Sequence, residues 1–536
     1  MKTLLEGKKF LTLGKGLAGF AGMLLILLCA FSCSNLMVND GGSLIISTPG
    51  ARAATASSFT IKLIGSNGAT QNETVSGGST VQFDNLAPDT YTISVEGKNK
   101  DGVLVYSGTK SATVTAGETS SVIVELEKLV GSLTVDFSES VTSSATEFKV
   151  ELNIGDTLFK GKQVPGVTSV QFDDLAPDTY NIVVEGMDDS GAVVLYGTDS
   201  ATVEAGKTAS ADVDLVGVVN DLSSLQQAVT AGGIVYIGSD IDVTSSLTVN
   251  TDVTLLPFEN DVTLKKTADF ELISVSEAVT LTVGGNDYTI TLDGDSVTNS
   301  NTKSLINANG KGSTVYLNKN SIITNNSGTG LTIKGTNASN KAYLYLNGGT
   351  ISNNKAGGVS LQYVEFVMND GSIESNTSTQ GAGVNMTTSN TSFVMKGGNI
   401  SNNNSTGTGG GINVTSGSSF TMEGGSIKGN SATGNGKGVN FAGSGFLKMS
   451  GSAVIDSSNE VYLSTNCKIT ITGKLTGAPS VATITPKEYS SSIQVLSTEN
   501  GVDLTAMVEK FAVTPNPADG SEWTINTSGN LQQVTQ

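Results

Sequence analysis

The stretch Gly397-Gly398-Asn399-Ile400-Ser401-Asn402-Asn403 recurs 27 residues later as Gly424-Gly425-Ser426-Ile427-Lys428-Gly429-Asn430. The C-terminal half contains five copies of this pattern, in which an asparagine follows an isoleucine by three residues: Ile323 with Asn326, Ile351 with Asn354, Ile373 with Asn376, Ile400 with Asn403, and Ile427 with Asn430. Successive isoleucines are 28, 22, 27 and 27 residues apart. Self-similarity at such a period predicts a stacked repeat architecture.

Each repeat contains three short apolar segments, for example residues 411–414, 420–422 and 426–427. Apolar and polar residues alternate within these segments, which is the periodicity of a β-strand. Glycine, asparagine, serine and threonine fill the gaps and indicate turns. Three strands per coil, with coils of this length, predict a right-handed parallel β-helix.

The repeated asparagines are predicted to form a structural ladder rather than to act as ligands or catalysts. An asparagine in a turn tolerates unusual backbone angles, and its amide can hydrogen-bond to the turn of the next coil. The predicted ladder consists of Asn326, Asn354, Asn376, Asn403 and Asn430. Ile455 keeps the period but Ser458 stands where the next asparagine is expected, as in a terminal coil.

The N-terminus has the pattern of an export signal. Four lysines precede an apolar run over residues 16–31, which is shorter than a membrane-spanning helix. The run ends in Ala30-Phe31-Ser32-Cys33. This sequence resembles a bacterial lipobox, and the resemblance implies a lipid attached to Cys33 and an anchor in the membrane. Ordinary secretion or a retained apolar anchor is the alternative.

Two further repeats precede the predicted β-helix. Residues 81–91, VQFDNLAPDTY, recur 89 residues later as VQFDDLAPDTY at 170–180. Short alternating strands between polar turns predict a β-sandwich in each repeat. The motif Phe-x-x-Leu-x-Pro-x-x-Tyr resembles prealbumin-like sandwiches of bacterial surface proteins, which implies a spacer role. Two acidic pairs, Asp173-Asp174 and Asp188-Asp189, could bind calcium, but solvated loops are the favoured interpretation.

The junction between the repeats is predicted to be a short amphipathic helix over residues 221–229. Asp221 is the expected N-cap, and Leu222, Leu225 and Val229 share one face. The helix would cover the open apolar end of the solenoid, and this entry resembles the N-terminal cap of pectin-lyase-like β-helices.

The predicted fold class is therefore all-β, with two tandem β-sandwich modules followed by a right-handed parallel β-helix solenoid. The predicted segments are a lipoprotein signal peptide at 1–32, a tether at 33–57, sandwich repeats at 58–128 and 129–217, a β-helix with its helical cap at 218–473, and a β-rich cap at 474–536.

The composition excludes several classes of function. The chain has 30 basic and 49 acidic residues, a net charge of −19, which argues against binding to nucleic acid. Histidine is absent and the one arginine, Arg52, lies in the predicted tether. The sequence therefore predicts no catalytic triad, no zinc or other metal site, and no cofactor. Cys467, in an alternating apolar segment, is expected to be a buried free thiol.

The Gly-Gly-x-Ile tetrapeptides at 348–351, 397–400 and 424–427 resemble the repeats of polymorphic outer-membrane adhesins and the β-helical passengers of autotransporters. The resemblance implies a non-enzymatic adhesin on the bacterial surface or outer membrane that binds glycans or host or cell-surface proteins. Tyr343, Tyr345 and Tyr363 are candidates for stacking on a sugar, although strand packing also explains them. A polysaccharide lyase or glycoside hydrolase and a structural envelope protein are the alternatives.

Overall fold

The computed structural model describes residues 41–48, 56–76, 80–98, 102, 104–139, 145–294, 302–415, 417–477 and 479–535. Strands dominate the described chain, so the fold is all-β. Two compact units divide between Lys128 and Leu129. The predicted signal peptide and Cys33 lie outside the described residues.

The first unit consists of two sheets that share one apolar core. The strands are β1 (Gly42–Ser47), β2 (Ser58–Ile64), β3 (Thr70–Ser76), β4 (Val81–Leu86), β5 (Asp89–Lys98), β6 (Leu104–Val114), β7 (Thr119–Ile123) and β8 (Glu127–Lys128). One sheet has the order β4-β1-β7 and the other β3-β2-β5-β6-β8.

The prediction of a tether over residues 33–57 is wrong for β1. Leu44 and Ile46 are fully buried in the core, and β1 pairs with both β4 and β7. Buried and less buried residues alternate along this segment, which is the pattern of a β-strand. The glycine and serine residues around it obscured this pattern in the sequence. With the 89-residue offset, Gly42 of the first repeat corresponds to Gly131 of the second. The first repeat therefore begins at β1 rather than at residue 58.

The second unit begins with a matching pair of sheets. These strands are β9 (Gly131–Glu139), β10 (Glu147–Ile154), β11 (Thr157–Pro165), β12 (Ser169–Leu175), β13 (Asp178–Met187), β14 (Val193–Val203) and β15 (Thr208–Val219). β9 pairs with β12 and β15, while β10 pairs with β11 and β13, and β14 pairs with β13. Phe148, Phe172 and Tyr180 fill the shared core.

A tyrosine in each repeat explains the motif Ala-Pro-Asp-Thr-Tyr. The hydroxyl of Tyr180 donates to the carbonyl oxygen of Ala176 at 2.9 Å, and the hydroxyl of Tyr91 donates to Ala87 at 3.1 Å. A buried hydroxyl needs such a partner, and here the bond fixes the turn that precedes the strand. Burial raises the pKa of Tyr180 to about 12.

β15 continues from the second sheet pair into the rest of the unit, where Val218 and Val219 pair in parallel with Tyr236 and Ile237. The helix α1 (Leu222–Ala231) follows. Its first turn is closed by Asp221, whose carboxylate accepts from the Ser224 N–H at 2.9 Å, as the capping pattern predicts. Leu225 and Val229 are buried against the first stacked strands, so the predicted helix is confirmed.

The strands between residues 233 and 513 form one stack, which we call the parallel stack. Each strand pairs in parallel with the corresponding strand of the next repeat. Most of these strands fall into three columns, of which one forms an 11-stranded sheet. The inward residues repeat in register: Phe366 stacks on Phe393 at 4.3 Å, and Phe393 stacks on Phe420 at 5.0 Å between ring centroids.

The bounds of the strands after α1 are β16 (Gly233–Ile237), β17 (Ile241–Val243), β18 (Leu247–Val249), β19 (Val253–Pro257), β20 (Val262–Lys266), β21 (Ile273–Val275), β22 (Thr280–Val283), β23 (Ile290–Asp293), β24 (Ile306–Asn309), β25 (Thr314–Asn318), β26 (Ser321–Thr324), β27 (Leu331–Lys334), β28 (Ala342–Ser352), β29 (Val359–Gln362), β30 (Val364–Glu374), β31 (Thr377–Gln380), β32 (Val384–Met386), β33 (Ser392–Met395), β34 (Asn399–Ser401), β35 (Asn404–Thr408), β36 (Ile412–Thr415), β37 (Ser419–Met422), β38 (Ser426–Lys428), β39 (Ser431–Ala432), β40 (Val439–Ala442), β41 (Leu447–Gly451), β42 (Val454–Ile455), β43 (Val461–Leu463), β44 (Ile469–Leu475), β45 (Ala482–Pro486), β46 (Leu496–Thr498), β47 (Phe511–Val513), β48 (Trp523–Ile525) and β49 (Leu531–Gln533). A short 3₁₀ helix, Val508–Lys510, precedes β47.

Three repeats have one more strand than predicted. β31, β35 and β39 form a separate parallel sheet immediately after the asparagine of their repeats. These segments consist mainly of serine, threonine, asparagine and glycine, so the sequence pattern indicated turns. They pair as strands because the longer connection of one repeat lies beside that of the next, with a register shift between Ser378 and Gln380.

The repeat also extends further than the predicted boundary at residue 473. β45 pairs in parallel with β43, β46 pairs with β44, and β47 pairs with β45. The Gly-Gly-x-Ile pattern ends earlier. Beyond it, backbone hydrogen bonds continue the stack without those side chains. The segment that differs is the antiparallel hairpin of β48 and β49.

Candidate functional site

The five predicted asparagines lie in one buried column of hydrogen bonds in the parallel stack. The Nδ2 of Asn354 donates to the Oδ1 of Asn376 at 2.9 Å, and the Nδ2 of Asn376 donates to the Oδ1 of Asn403 at 3.0 Å. The Nδ2 of Asn403 in turn donates to the Oδ1 of Asn430 at 2.9 Å. The backbone N–H groups of Asn354, Asn376 and Asn403 donate to the same oxygens as their side-chain amides. We call this column the asparagine ladder.

The asparagine ladder continues one step beyond the prediction. The Nδ2 of Asn430 donates to the Oδ1 of Asn459 at 2.7 Å, and Asn459 is fully buried. The interpretation of Ser458 as the replacement was wrong, because this repeat has one extra residue after Ile455. The exposed Ser458 instead hydrogen-bonds to Asp456 within the turn.

A left-handed backbone angle lies one residue before each of the five predicted ladder asparagines. The residues concerned are Asn325, Asn353, Ser375 and Asn402, with φ between 56° and 57°, and Gly429 with φ 65°. The preceding residue makes the turn, and the ladder side chain then points inward toward the next repeat. Asparagine and glycine adopt this conformation readily, which explains the Asn-Asn and Gly-Asn pairs.

Lys266 lies at the opposite end of the ladder, and the sequence analysis did not single it out. Its Nζ donates to the Oδ1 of Asn326 at 3.4 Å and to the carbonyl oxygen of Lys303 at 3.3 Å. The side chain is fully buried, and the desolvation lowers the pKa of this amine to about 8, against the smaller raising effect of Asp269 and Glu271. The only sequence signal was a lysine in an inward strand position.

Two of the three predicted tyrosines lie together on the outward face of the stack. Tyr345 stacks on Tyr316 of the preceding repeat, with ring centroids 4.6 Å apart and planes 10° apart. Tyr343 is two residues earlier on the same strand, so it points to the same side. Burial raises the pKa of Tyr345, and the neighbouring Tyr316, Glu365 and Tyr343 add to this effect.

The register extends this surface across two more strands. Tyr345 pairs with Val367, and Val367 pairs with Val394, so both valines continue the outward column. We call Tyr316, Tyr343, Tyr345, Val367 and Val394 the outward tyrosine face. All five are partly exposed. Tyr316 was missed because its partner in the stack becomes visible only when the register is known.

An ion pair lies next to the outward tyrosine face. The Nζ of Lys341 is 2.9 Å from the Oε1 of Glu365, and Glu365 pairs with Tyr343 across the strands. The two opposite charges of this pair compensate each other beside the aromatic rings.

Tyr363 does not belong to this surface. It lies in the turn between β29 and β30 with φ 53°. Its backbone N–H donates to the hydroxyl oxygens of Thr388 and Thr391 at 3.0 and 2.9 Å. Tyr363 therefore lies in a turn, where its carbonyl oxygen accepts from the N–H of Ala342, next to Tyr343, at 3.2 Å.

A polar groove of about 330 Å³ lies beside the extra sheet of β31, β35 and β39. Its lining consists of Lys355, Ala356, Thr377, Ser378, Thr379, Gln380, Asn385 and Thr406. A second groove, of about 560 Å³, borders α1 and is lined by Ser223, Gln226, Gln227, Thr230 and Ala231. Neither lining contains a carboxylate.

The acidic loops have local hydrogen-bond partners. The carboxylate of Asp188 accepts from the backbone N–H and the hydroxyl of Ser190 at 2.8 and 2.6 Å, and these bonds, of which the hydroxyl bond has the larger effect, lower the pKa of Asp188. Within the described residues, no group of three or more His, Cys, Asp or Glu side chains is arranged to hold a metal ion.

Cys467 is a buried free thiol, as predicted. Its sulfur donates to the carbonyl oxygen of Gly443 at 3.1 Å, and burial raises the pKa of the thiol. In the part of the chain that the structure describes, no helix has the length and apolarity needed to cross a membrane.

No protein-family model matches the chain. The curated proteins likewise contain no match. Similar solved structures include the Bacillus anthracis TIE protein, with 17% identity over 34% of this chain and 36% of that chain and a TM-score of 0.26. GBS52, the minor pilin of Streptococcus agalactiae, has 10% identity over 33% and 97% of the two chains and a TM-score of 0.17.

The fimbrial anchor protein Mfa2 from Porphyromonas gingivalis has 9% identity over 29% of this chain and 80% of that chain, with a TM-score of 0.17. The chain spans 36% of the length of the TIE protein. At such low TM-scores these likenesses carry no argument about what this chain does.

Proposed function

We propose that the chain is a bacterial surface lipoprotein in which two β-sandwich modules precede a right-handed parallel β-helix that binds an uncharged glycan. The β-helix reading is supported by the three columns of parallel strands and by the asparagine ladder. The sandwich reading is supported by two sheets around one core in each 89-residue repeat. Cys33 would carry the lipid.

The single observation that carries the binding proposal is the stacking of Tyr345 on Tyr316. Aromatic side chains with an apolar body and a polar hydroxyl are suited to recognition surfaces that stay partly wet. Here the rings lie on a sheet, where strand pairing fixes their positions before any ligand arrives. A preorganised surface loses little conformational entropy on binding.

The charge distribution favours an uncharged ligand. The whole chain has a net charge of −19, which repels nucleic acids and acidic polysaccharides over distances up to the Debye length. At the outward tyrosine face, Lys341 and Glu365 compensate each other. A neutral sugar chain would meet the aromatic rings and valines without a charge penalty.

A polysaccharide-cleaving activity receives no support from the described grooves. A glycoside hydrolase needs two facing carboxylates, and a lyase needs a base together with a cation that stabilises the developing charge. The groove of about 330 Å³ has Lys355 but no carboxylate in its lining. We therefore propose a non-enzymatic role.

The binding test uses an array of neutral and acidic glycans with the purified chain and three variants. Tyr316→Ala combined with Tyr345→Ala should reduce binding to neutral glycans at least tenfold, whereas Tyr345→Phe should retain it because the ring remains. Tyr288→Ala is the matched control, since Tyr288 is 41% exposed and lies outside the outward tyrosine face. Equal loss in the control, or binding unaffected by the double substitution, would contradict the proposal.

The anchor is tested separately on intact cells. Wild type and Cys33→Ala are expressed and exposed to an added protease. Cleavage of the wild type, together with release of the variant into the medium, is the expected result. Protection of the wild type would place it inside the envelope and contradict surface adhesion.

A further inference from the structure

Lys266 and Asn326 bring an amine and a carboxamide together in the interior of the parallel stack. Both side chains are fully buried, and the Nζ of Lys266 is 3.4 Å from the Oδ1 of Asn326. The ring of Phe270 lies 6.0 Å from the same Nζ. Two groups that react with each other slowly in water are thus held at short range and away from solvent.

The amine is in a suitable state to act as a nucleophile. Burial lowers the pKa of Lys266 to about 8. About a tenth of such amines are neutral at pH 7, far more than for an exposed lysine. Desolvated lysines of this kind are the ones that attack carbonyl groups in proteins.

The carboxamide of Asn326 is fixed with its carbonyl oxygen toward the amine. Its Nδ2 donates to the carbonyl oxygens of Lys303 and Thr329 at 2.8 and 2.7 Å. The opposite orientation would place the amide NH₂ against the lysine amine and the amide oxygen against two carbonyl oxygens. The hydrogen bonds therefore determine the orientation of the amide. Gly294 packs so closely that a Cβ there would lie 2.4 Å from the Cα of Asn326.

The other asparagines of the ladder lack this arrangement. The Oδ1 atoms of Asn376, Asn403 and Asn430 accept from the backbone and side chain of the asparagine in the preceding repeat. The Oδ1 of Asn326 instead accepts from a lysine. This difference confines the chemistry to the first asparagine of the ladder.

We propose that Lys266 and Asn326 form an intramolecular isopeptide bond. The neutral Nζ attacks the Cγ of Asn326, a new C–N bond forms, and the bond between Cγ and Nδ2 breaks. One proton of the amine passes to Nδ2, which leaves as ammonia, so no oxidant or reductant is needed.

The bond would tie together non-adjacent layers of the stack. β20, which ends at Lys266, pairs with β23, and β23 pairs with β26, which precedes Asn326. A covalent link between residues 60 positions apart would therefore skip one layer of the stack. It would also reduce the number of conformations open to the unfolded chain. Such a link would hold the early repeats of a surface protein together under mechanical load.

The test is mass spectrometry on the purified full chain, and it does not depend on the proposed glycan binding. The intact mass should fall short of the sequence mass by about 17 Da, the mass of the departing ammonia. Tandem spectra of a digest should contain a branched peptide that joins residues 266 and 326. An intact mass without the deficit, with the two peptides recovered separately, would overturn the proposal.

Variants distinguish this bond from other losses of ammonia, such as succinimide formation. Lys266→Met should restore the full sequence mass, while the neighbouring Lys265→Met should keep the deficit. A deficit that persists in Lys266→Met would count against the bond. If Lys266→Met does not fold, the branched peptide of the wild type decides alone.

Discussion

Asn376 donates two hydrogen bonds to one oxygen of Asn403, from its backbone N–H and from its Nδ2, both at 3.0 Å. Neither donor has access to water, because both residues are fully buried. Each asparagine in the ladder therefore satisfies groups that would otherwise be unpaired in the interior, and the repeated residue is a requirement of the packing.

Replacing Asn403 should destabilise the stack more than its size suggests. Asn403→Ala leaves both donors of Asn376 without an acceptor, and we expect a loss of about 3 kcal/mol in the free energy of unfolding. The fluorescence of Trp523, which packs against the same core, can follow the unfolding in urea. The control is Asn404→Ala at the adjacent exposed position, which should change stability by less than about 0.5 kcal/mol.

The stacked phenylalanines provide a second test of the inward column. Phe393 lies between Phe366 and Phe420 and is fully buried. Phe393→Ala should cost about 3–5 kcal/mol, because it removes a buried ring and leaves a cavity. Val394→Ala, one residue on and facing outward, should cost under about 1 kcal/mol. Similar losses in the two variants would show that the inward and outward assignments are incorrect.

Tyr180 should make the second sheet pair sensitive to alkaline pH. Its pKa in the folded protein is about 12, above the ordinary value of 10. The folded state therefore holds the phenolic proton at pH values where the unfolded state has lost it, so stability is complete below pH 10 and falls between about pH 10 and 12.

The measurement is thermal unfolding of the wild type and of Tyr180→Phe from pH 8 to pH 11.5. The variant should be less stable by about 1 kcal/mol at pH 8, because the bond to Ala176 is lost. Its stability should then fall less steeply above pH 10. Parallel curves for the two proteins would contradict the assignment of this pH dependence to Tyr180.

Cys467 should resist alkylation in the folded protein. The thiol is 7% exposed, and burial raises its pKa, so little thiolate is present at pH 8. Iodoacetamide should label it at least a hundredfold more slowly in buffer than in urea, as read from the peptide that contains residue 467. Rapid labelling in buffer would indicate that the region around Gly443 opens frequently.

The sequence alone determined the repeat and much of what depends on periodicity. The spacing of Ile400 and Ile427 predicted stacking, and alternation predicted three strand columns, because side chains on successive residues of a strand face opposite ways. The N-cap Asp221 and the buried Cys467 were also readable, since each depends on residues within a few positions. Composition excluded histidine-dependent catalysis because the chain contains no histidine.

Other features depended on which repeat lies beside which, and only the tertiary structure decided them. The contact of Lys266 with Asn326 and the stack of Tyr316 on Tyr345 join residues far apart in sequence, so no local pattern predicted them. The strand status of residues 404–408 and 42–47 came from pairing that overrides weak local propensity. Asn459 likewise entered the ladder because the turn absorbed one inserted residue, and register is settled by hydrogen bonds between repeats rather than by counting along the chain.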